Sequence, residues 1–174
     1  FNTFSSSKQN FSEILLEAKS QGFTEPDPRE DLGGNDVARK LLILARELGL
    51  EVDLADVSVE SLIPSSLAKV ESWEEFTQQF QELDSHFEGI RTSLQPHEVL
   101  RYVGRLKNDG KMTVSLERVE NAEPLGQLKQ ADSLFEIYTD SYGEKPMIVQ
   151  GAGAGAKVTA RGVYSDLVRI GNLV

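Results

Sequence analysis

The chain has 174 residues, enough to bury a core as one domain or as a large piece of a two-domain protein. Its 28 acidic and 18 basic residues leave a net charge of -10, which argues against nucleic acid and anionic membrane surfaces as partners. With no cysteine, disulfides, thiolate metal sites and cysteine nucleophiles are excluded.

No run approaches the ~20 apolar residues that span a bilayer, so a cytoplasmic protein without a membrane partner is the plain expectation. The chain opens FNTF, with neither an initiator methionine nor a signal-peptide pattern, and its start reads as a boundary inside a longer polypeptide. Asn10-Phe11-Ser12 leads into a short amphipathic helix through Phe11, Ile14, Leu15 and Ala18, which Gly22 can stop. An acidic loop follows. From Asp36 the pattern predicts a second helix, with Val37, Leu41, Leu44 and Leu48 on one stripe and an end near Gly49. Val52 to Ile63 reads as a strand and a connector, closed by Pro64.

A further helix starts at Ser72, where Ser72 and Glu75 have the spacing of a capping box. Trp73, Phe76, Phe80, Leu83, Phe87 and Ile90 then recur at intervals of three and four, a seam read as core in preference to a partner-helix interface. Beyond Pro96 the period switches to two. Val99–Leu106 and Met112–Val119 flank Asn108-Asp109-Gly110, a hairpin signal because glycine supplies the positive φ of a tight turn. Ser133–Thr139 and Pro146–Gln150 are two more strands, and a closing helix begins near residues 156–158. Helices followed by mostly antiparallel strands indicate an α+β fold.

The segment TEPDPREDLGGNDVARK, Thr24 to Lys40, gathers five carboxylates and one lysine in seventeen residues. Prolines 26 and 28 push Glu25 and Asp27 toward extended backbone, and carboxylates held rigidly suit an ammonium or hydroxyl group. The plain alternative, which composition alone favours, is a solvated loop whose acids cap the next helix. Asp36 and Lys40 lie four apart and share a helix face. They form either a surface ion pair or a general acid with the carboxylate that orients it. Further on, Gly151, Gly153 and Ala156 satisfy G-x-G-x-x-A after a strand and before a helix. Only eighteen residues remain beyond Ala156, too few for a dinucleotide-binding crossover. What survives is a close backbone approach at a helix N-terminus, facing a ligand or simply packed. His86 and His97 have no ligand-spaced partner, and no metal site is expected.

Two stretches carry a resemblance. GFTEPDPREDLGGNDVARKLLILARELG resembles the signature of homoserine dehydrogenases, and VQGAGAGAKVTARGVYSDL is similar to that family's C-terminal segment. The resemblance covers essentially the whole chain and fits either a monofunctional enzyme or the dehydrogenase half of a bifunctional aspartokinase–homoserine dehydrogenase. It implies an NAD- or NADP-dependent oxidoreductase that interconverts aspartate semialdehyde and homoserine in threonine and methionine biosynthesis. By position in the motif, Lys40 matches the catalytic lysine. Glu25, Asp31 and Asp36 match acids that bind the amino acid substrate, and Gly155 matches a glycine touching the cofactor.

The implied fold is a mixed, largely antiparallel sheet covered by helices on one side, in a substrate-binding and dimerisation domain spanning residues 1–174. Strands of two subunits would join in a homodimer, and the C-terminal helix would pack on a Rossmann domain absent from this sequence. A second active-site lysine and a monovalent-cation site would lie outside it as well. Phe23 stands where the family often has tyrosine, which removes one hydroxyl. The resemblance therefore implies a substrate half-site without activity of its own. The competing reading is a non-catalytic amino-acid-binding or dimerisation module.

Overall fold

A computed structural model of the chain describes residues 1–129, 132–153 and 155–172. Residues 173 and 174 of the expected closing helix lie outside that set. The chain divides into two compact units, Phe1–Glu120 and Asn121–Val174. Among the described residues it is α+β, with seven α-helices, a mixed sheet and an antiparallel pair of strands.

The first unit opens with α1 (Asn2–Ser6), which no capping pattern announces but which buries Phe4. Helix α2 (Phe11–Ser20) starts at a capping box in which the Asn10 amide donates to Glu13 Oε2 at 3.1 Å. The acidic segment is not all loop. Asp27 caps a one-turn helix, α3 (Pro28–Leu32), with proline at its first position, where no N–H is needed. Helix α4 (Asn35–Glu47) begins one residue later than Gly34, its N-cap. After a 3-10 turn at Leu54–Asp56 come β1 (Val57–Val59), α5 (Trp73–Gln78), α6 (Phe80–Thr92), β2 (Glu98–Leu106) and β3 (Met112–Glu120).

The strand order is β1-β3-β2, with β1 parallel and β2 antiparallel to β3. The register places Leu100, Tyr102, Gly104 and Leu106 opposite Arg118, Leu116, Val114 and Met112, all on one face. The β2–β3 turn closes through Lys107 N–H to Lys111 O at 3.0 Å, with Gly110 at φ 82° as the hairpin signal requires.

Two clusters of buried side chains lie against this face. One joins Phe4, Phe11, Leu15, Phe76, Leu83, Phe87 and Leu100. Phe11 and Phe87 stack within it at 3.7 Å between ring centroids. The whole aromatic seam from Trp73 to Ile90 belongs to this cluster, as core rather than as a partner interface. The other joins Ala38, Leu41, Ala45, Val57, Met112 and Val114, beneath α4. Tyr102 packs against both.

Two expectations need correcting. The buried stripe of α4 is Ala38, Leu41, Leu42 and Ala45, whereas Leu44 and Leu48 are 41% and 74% exposed. The helix expected from Ser72 is two helices, because Gln79 sits at φ -102°, ψ 13° and interrupts it. Gln79 N–H bonds back only three residues, to Phe76 O at 3.0 Å, so the turn tightens without losing the three-four phase of the buried residues. Ser72 Oγ accepts from Glu75 N–H at 3.1 Å, as the capping spacing predicts.

The second unit pairs β4 (Asp132–Ile137) with β5 (Met147–Ala152) antiparallel and ends in α7 (Ala156–Gly171). Both strands and the helix expose apolar side chains, among them Phe135, Ile148, Val163 and Leu167. No helix among the described residues is long and apolar enough to cross a membrane. Phe87→Ala removes a fully buried ring stacked on Phe11 and is expected to destabilise the first unit by about 3–5 kcal/mol in denaturant unfolding.

Candidate active site

The acidic segment is pinned near its start by two cations. Lys19 Nζ donates to Pro26 O and also lies 4.5 Å from the centroid of the Trp73 ring. Arg29 bonds both oxygens of Asp27 and, through Nη1, the Val70 carbonyl at 2.9 Å. Asp27 Oδ1 also accepts from the Arg29 amide at 3.0 Å, which makes it the cap of α3. The side-chain hydrogen bond from Arg29 holds the Asp27 carboxyl below the usual aspartate range. For Asp27 the helix-capping alternative is therefore the right one.

The four predicted site residues of this unit form two pairs. Asp31 Oδ2 accepts from the Glu25 amide at 2.9 Å, closing the loop onto α3. Lys40 Nζ lies 2.7 Å from Asp36 Oδ2 on α4, with the side chains 62% and 63% exposed. The pairs are joined by the Gly33-Gly34 turn, in which Gly34 N–H bonds Asp31 O at 3.1 Å and Ala38 N–H bonds Gly34 O at 3.0 Å. Asp36 falls in the first turn of α4, where a negative charge suits the helix N-terminus. A surface depression lined by Asn10, Gln81, Asp84 and Ser85 contains none of these four residues.

Tyr102 is the neighbour that sequence reading missed. Its hydroxyl donates to Glu60 O at 2.6 Å, and burial, helped by the Glu60 charge, pushes its pKa up to about 12. Gly34, at φ 76°, is pressed so closely on this phenol that a Cβ would overlap the hydroxyl and come within 2.9 Å of Val59 Cγ1. The Gly-Gly pair was the available signal, but nothing in the sequence says which side chain it meets.

In the second unit the glycine-rich run divides its roles. A Cβ on Gly153 would overlap Ser133, so that glycine serves close packing on β4. Gly155 has open space around it, a φ of 112°, and the N-cap position of α7, which no side chain caps. Uncapped helix N–H groups beside an open glycine fit a phosphate or similar polar group of a dinucleotide. Among the described residues no cluster of three or more His, Asp or Glu side chains is arranged to hold a metal ion.

The sequence of both units matches a known family. The sequence pattern of homoserine dehydrogenase covers residues 1–168. Over 172 residues, 98% of the chain and 19% of the relative, it is 46% identical to bifunctional aspartokinase/homoserine dehydrogenase 2, chloroplastic, of Arabidopsis thaliana. It is 44% identical to the homoserine dehydrogenase of Paracoccidioides brasiliensis, covering 94% of the chain and 45% of the relative. A crystal structure of a Candida auris protein of unknown function superposes with a TM-score of 0.85 at 37% identity, over 98% of this chain and 50% of that one. A putative homoserine dehydrogenase from Archaeoglobus fulgidus gives 0.67 at 25% identity, over 97% of this chain and 45% of that one.

The chain belongs to the homoserine dehydrogenase family, NAD(P)-using enzymes of aspartate-pathway amino-acid biosynthesis. It spans about a fifth of the bifunctional relatives and about half of the monofunctional ones.

One consequence concerns acid stability. A carboxylate whose pKa is depressed by folding stabilises the fold above its unfolded pKa, and that contribution is lost as pH falls through its folded value. Asp27→Ala should therefore cost about 1 kcal/mol at neutral pH. The gap from wild type should close in urea titrations as pH drops below the aspartate range.

Proposed function

We propose that these residues form the substrate half of a homoserine dehydrogenase that interconverts aspartate 4-semialdehyde and homoserine. The observation that carries this reading is the Asp36–Lys40 pair standing one glycine turn from the Glu25–Asp31 pair, in a chain of this family. Lys40 Nζ donates a proton to the aldehyde oxygen during reduction and takes it back from the hydroxyl during oxidation. An ammonium beside a developing alkoxide stabilises charge that exists only in the transition state. Asp36 pairs with Nζ between turnovers. Glu25 offers its carboxylate to the substrate ammonium. Asp31 spends Oδ2 on the Glu25 amide, so its main part is to hold Glu25, with one oxygen left for the ligand.

NAD(P)H supplies the hydride when bound. Within this chain Gly155 and the start of α7 would contact it, and most of its binding site belongs to sequence beyond these residues. The exposed apolar side chains of α7 suit packing on such a nucleotide-binding domain. Those of β4 and β5 suit pairing with a second subunit in a homodimer.

In the full-length enzyme, Lys40→Ala should lower kcat by about 10²–10⁴-fold, the usual worth of a general acid. The Kd for NADPH, read by fluorescence titration, should not move. Equal loss of both would make Lys40 structural. Residues 1–174 alone should show no NADPH-dependent turnover of substrate, and measurable activity from them would overturn the half-site reading.

A further inference from the structure

Tyr102 stands on β2, yet its hydroxyl reaches past the middle strand β3 to the carbonyl of Glu60, the residue that follows β1. Glu60 is itself fixed. Its amide bonds Val114 O at 2.8 Å, and its Oε2 accepts from Leu116 N–H at 3.3 Å. Two residues on, Leu62 N–H bonds Leu32 O at 2.8 Å, at the last residue of α3. The phenol is thus anchored to the sheet at its root and its tip, and Gly34 rests directly on it.

Gly34 O receives the first hydrogen bond of α4, so the position of Gly34 is the position from which Asp36 and Lys40 are measured. The exposed Asp36–Lys40 ion pair is too weak to locate the lysine by itself, since such pairs contribute about 0–1 kcal/mol.

We propose that Tyr102 is a positioning residue for Lys40: wedged beneath Gly34 and tied to the Glu60 carbonyl, it sets where α4 begins and hence where the ammonium stands. The inference rests on the assignment of Lys40 as the general acid. Loss of the hydroxyl leaves the ring in both clusters but frees the tip, so the fold survives while Gly34 gains room to settle. A shift of 1 Å at a reacting group costs as much as ~10²-fold in rate.

The test is a double-mutant cycle in the full-length enzyme, with kcat, KM for homoserine and the Kd for NADPH measured on wild type, Tyr102→Phe, Lys40→Ala and the double variant. Tyr102→Phe should lower kcat by about tenfold, with the NADPH Kd unchanged. In the Lys40→Ala background the same change should alter the residual kcat by less than about twofold, because there is no ammonium left to misplace. Two results overturn the proposal while leaving Lys40 as the acid: wild-type kcat in Tyr102→Phe, or equal fold losses in both backgrounds. Wild-type kcat in Lys40→Ala overturns the assignment of the acid, and this inference with it. A variant whose melting temperature falls while its kcat per folded molecule holds counts against positioning, since a purely structural tyrosine behaves that way.

Discussion

The Gly33-Gly34 turn is the constraint on which the first unit depends. It must lie flat enough on Tyr102 and Val59 that no Cβ fits, and Gly34 must adopt a φ of 76° that other residues reach only at a cost. Tyr102 contacts both buried clusters, so the turn is located by the packing of the whole unit and not by its own few hydrogen bonds. Close-packed interiors shift little, and what is seated on them inherits that rigidity. The acidic segment gains its order in this way although most of its side chains face solvent.

Much of the fold is legible in sequence because amphipathic period and turn chemistry are local. The hairpin at Gly110 and the aromatic seam of α5 and α6 follow directly from spacing. The stripe of α4 does not, and the reason is tertiary. Helix α4 lies close on the sheet because Ala38 and Ala45 face inward, and Gly104 on β2 leaves room, with a Cβ there meeting Val37 Cγ1 at 3.2 Å. A stripe drawn through the largest side chains selects Leu44 and Leu48, while close approach rewards the smallest. The break at Gln79 is invisible for a different reason. A single tightened turn changes backbone bonding but scarcely changes which side chains point inward.

The site shows the same division. The order of residues from Thr24 to Lys40 names the chemical groups, and Pro28 explains why Asp27 is extended. Sequence cannot say how each carboxylate is spent. Asp27 goes to the Arg29 guanidinium and the Arg29 amide, and Asp31 gives one oxygen to the Glu25 amide. Composition suggests a solvated loop whose acids cap a helix, which describes Asp27 but not Asp36, whose carboxylate is in an exposed ion pair with Lys40. The partner of Gly34 is out of reach of any local reading, since Tyr102 lies far along the chain and meets the turn only through sheet register.

A frame that is rigid in its backbone and loose in its side chains has a use at such a site. An exposed ion pair is held by less than about 1 kcal/mol, so in the reaction proposed above a substrate oxygen arriving at Lys40 would displace Asp36 at small cost. Burying the pair would have fixed the ammonium more firmly, but a desolvated partner is expensive to leave behind when the lysine turns to its ligand. Holding Gly34 on Tyr102 avoids that conflict. The Cα of Lys40 is placed by packing at Gly34, six residues and nearly two helical turns away, which would leave the ammonium at the end of its flexible stem free to exchange one oxygen partner for another. On the proposed assignment, precision would come from the core beneath the turn, and readiness to react from the solvent-facing side above it.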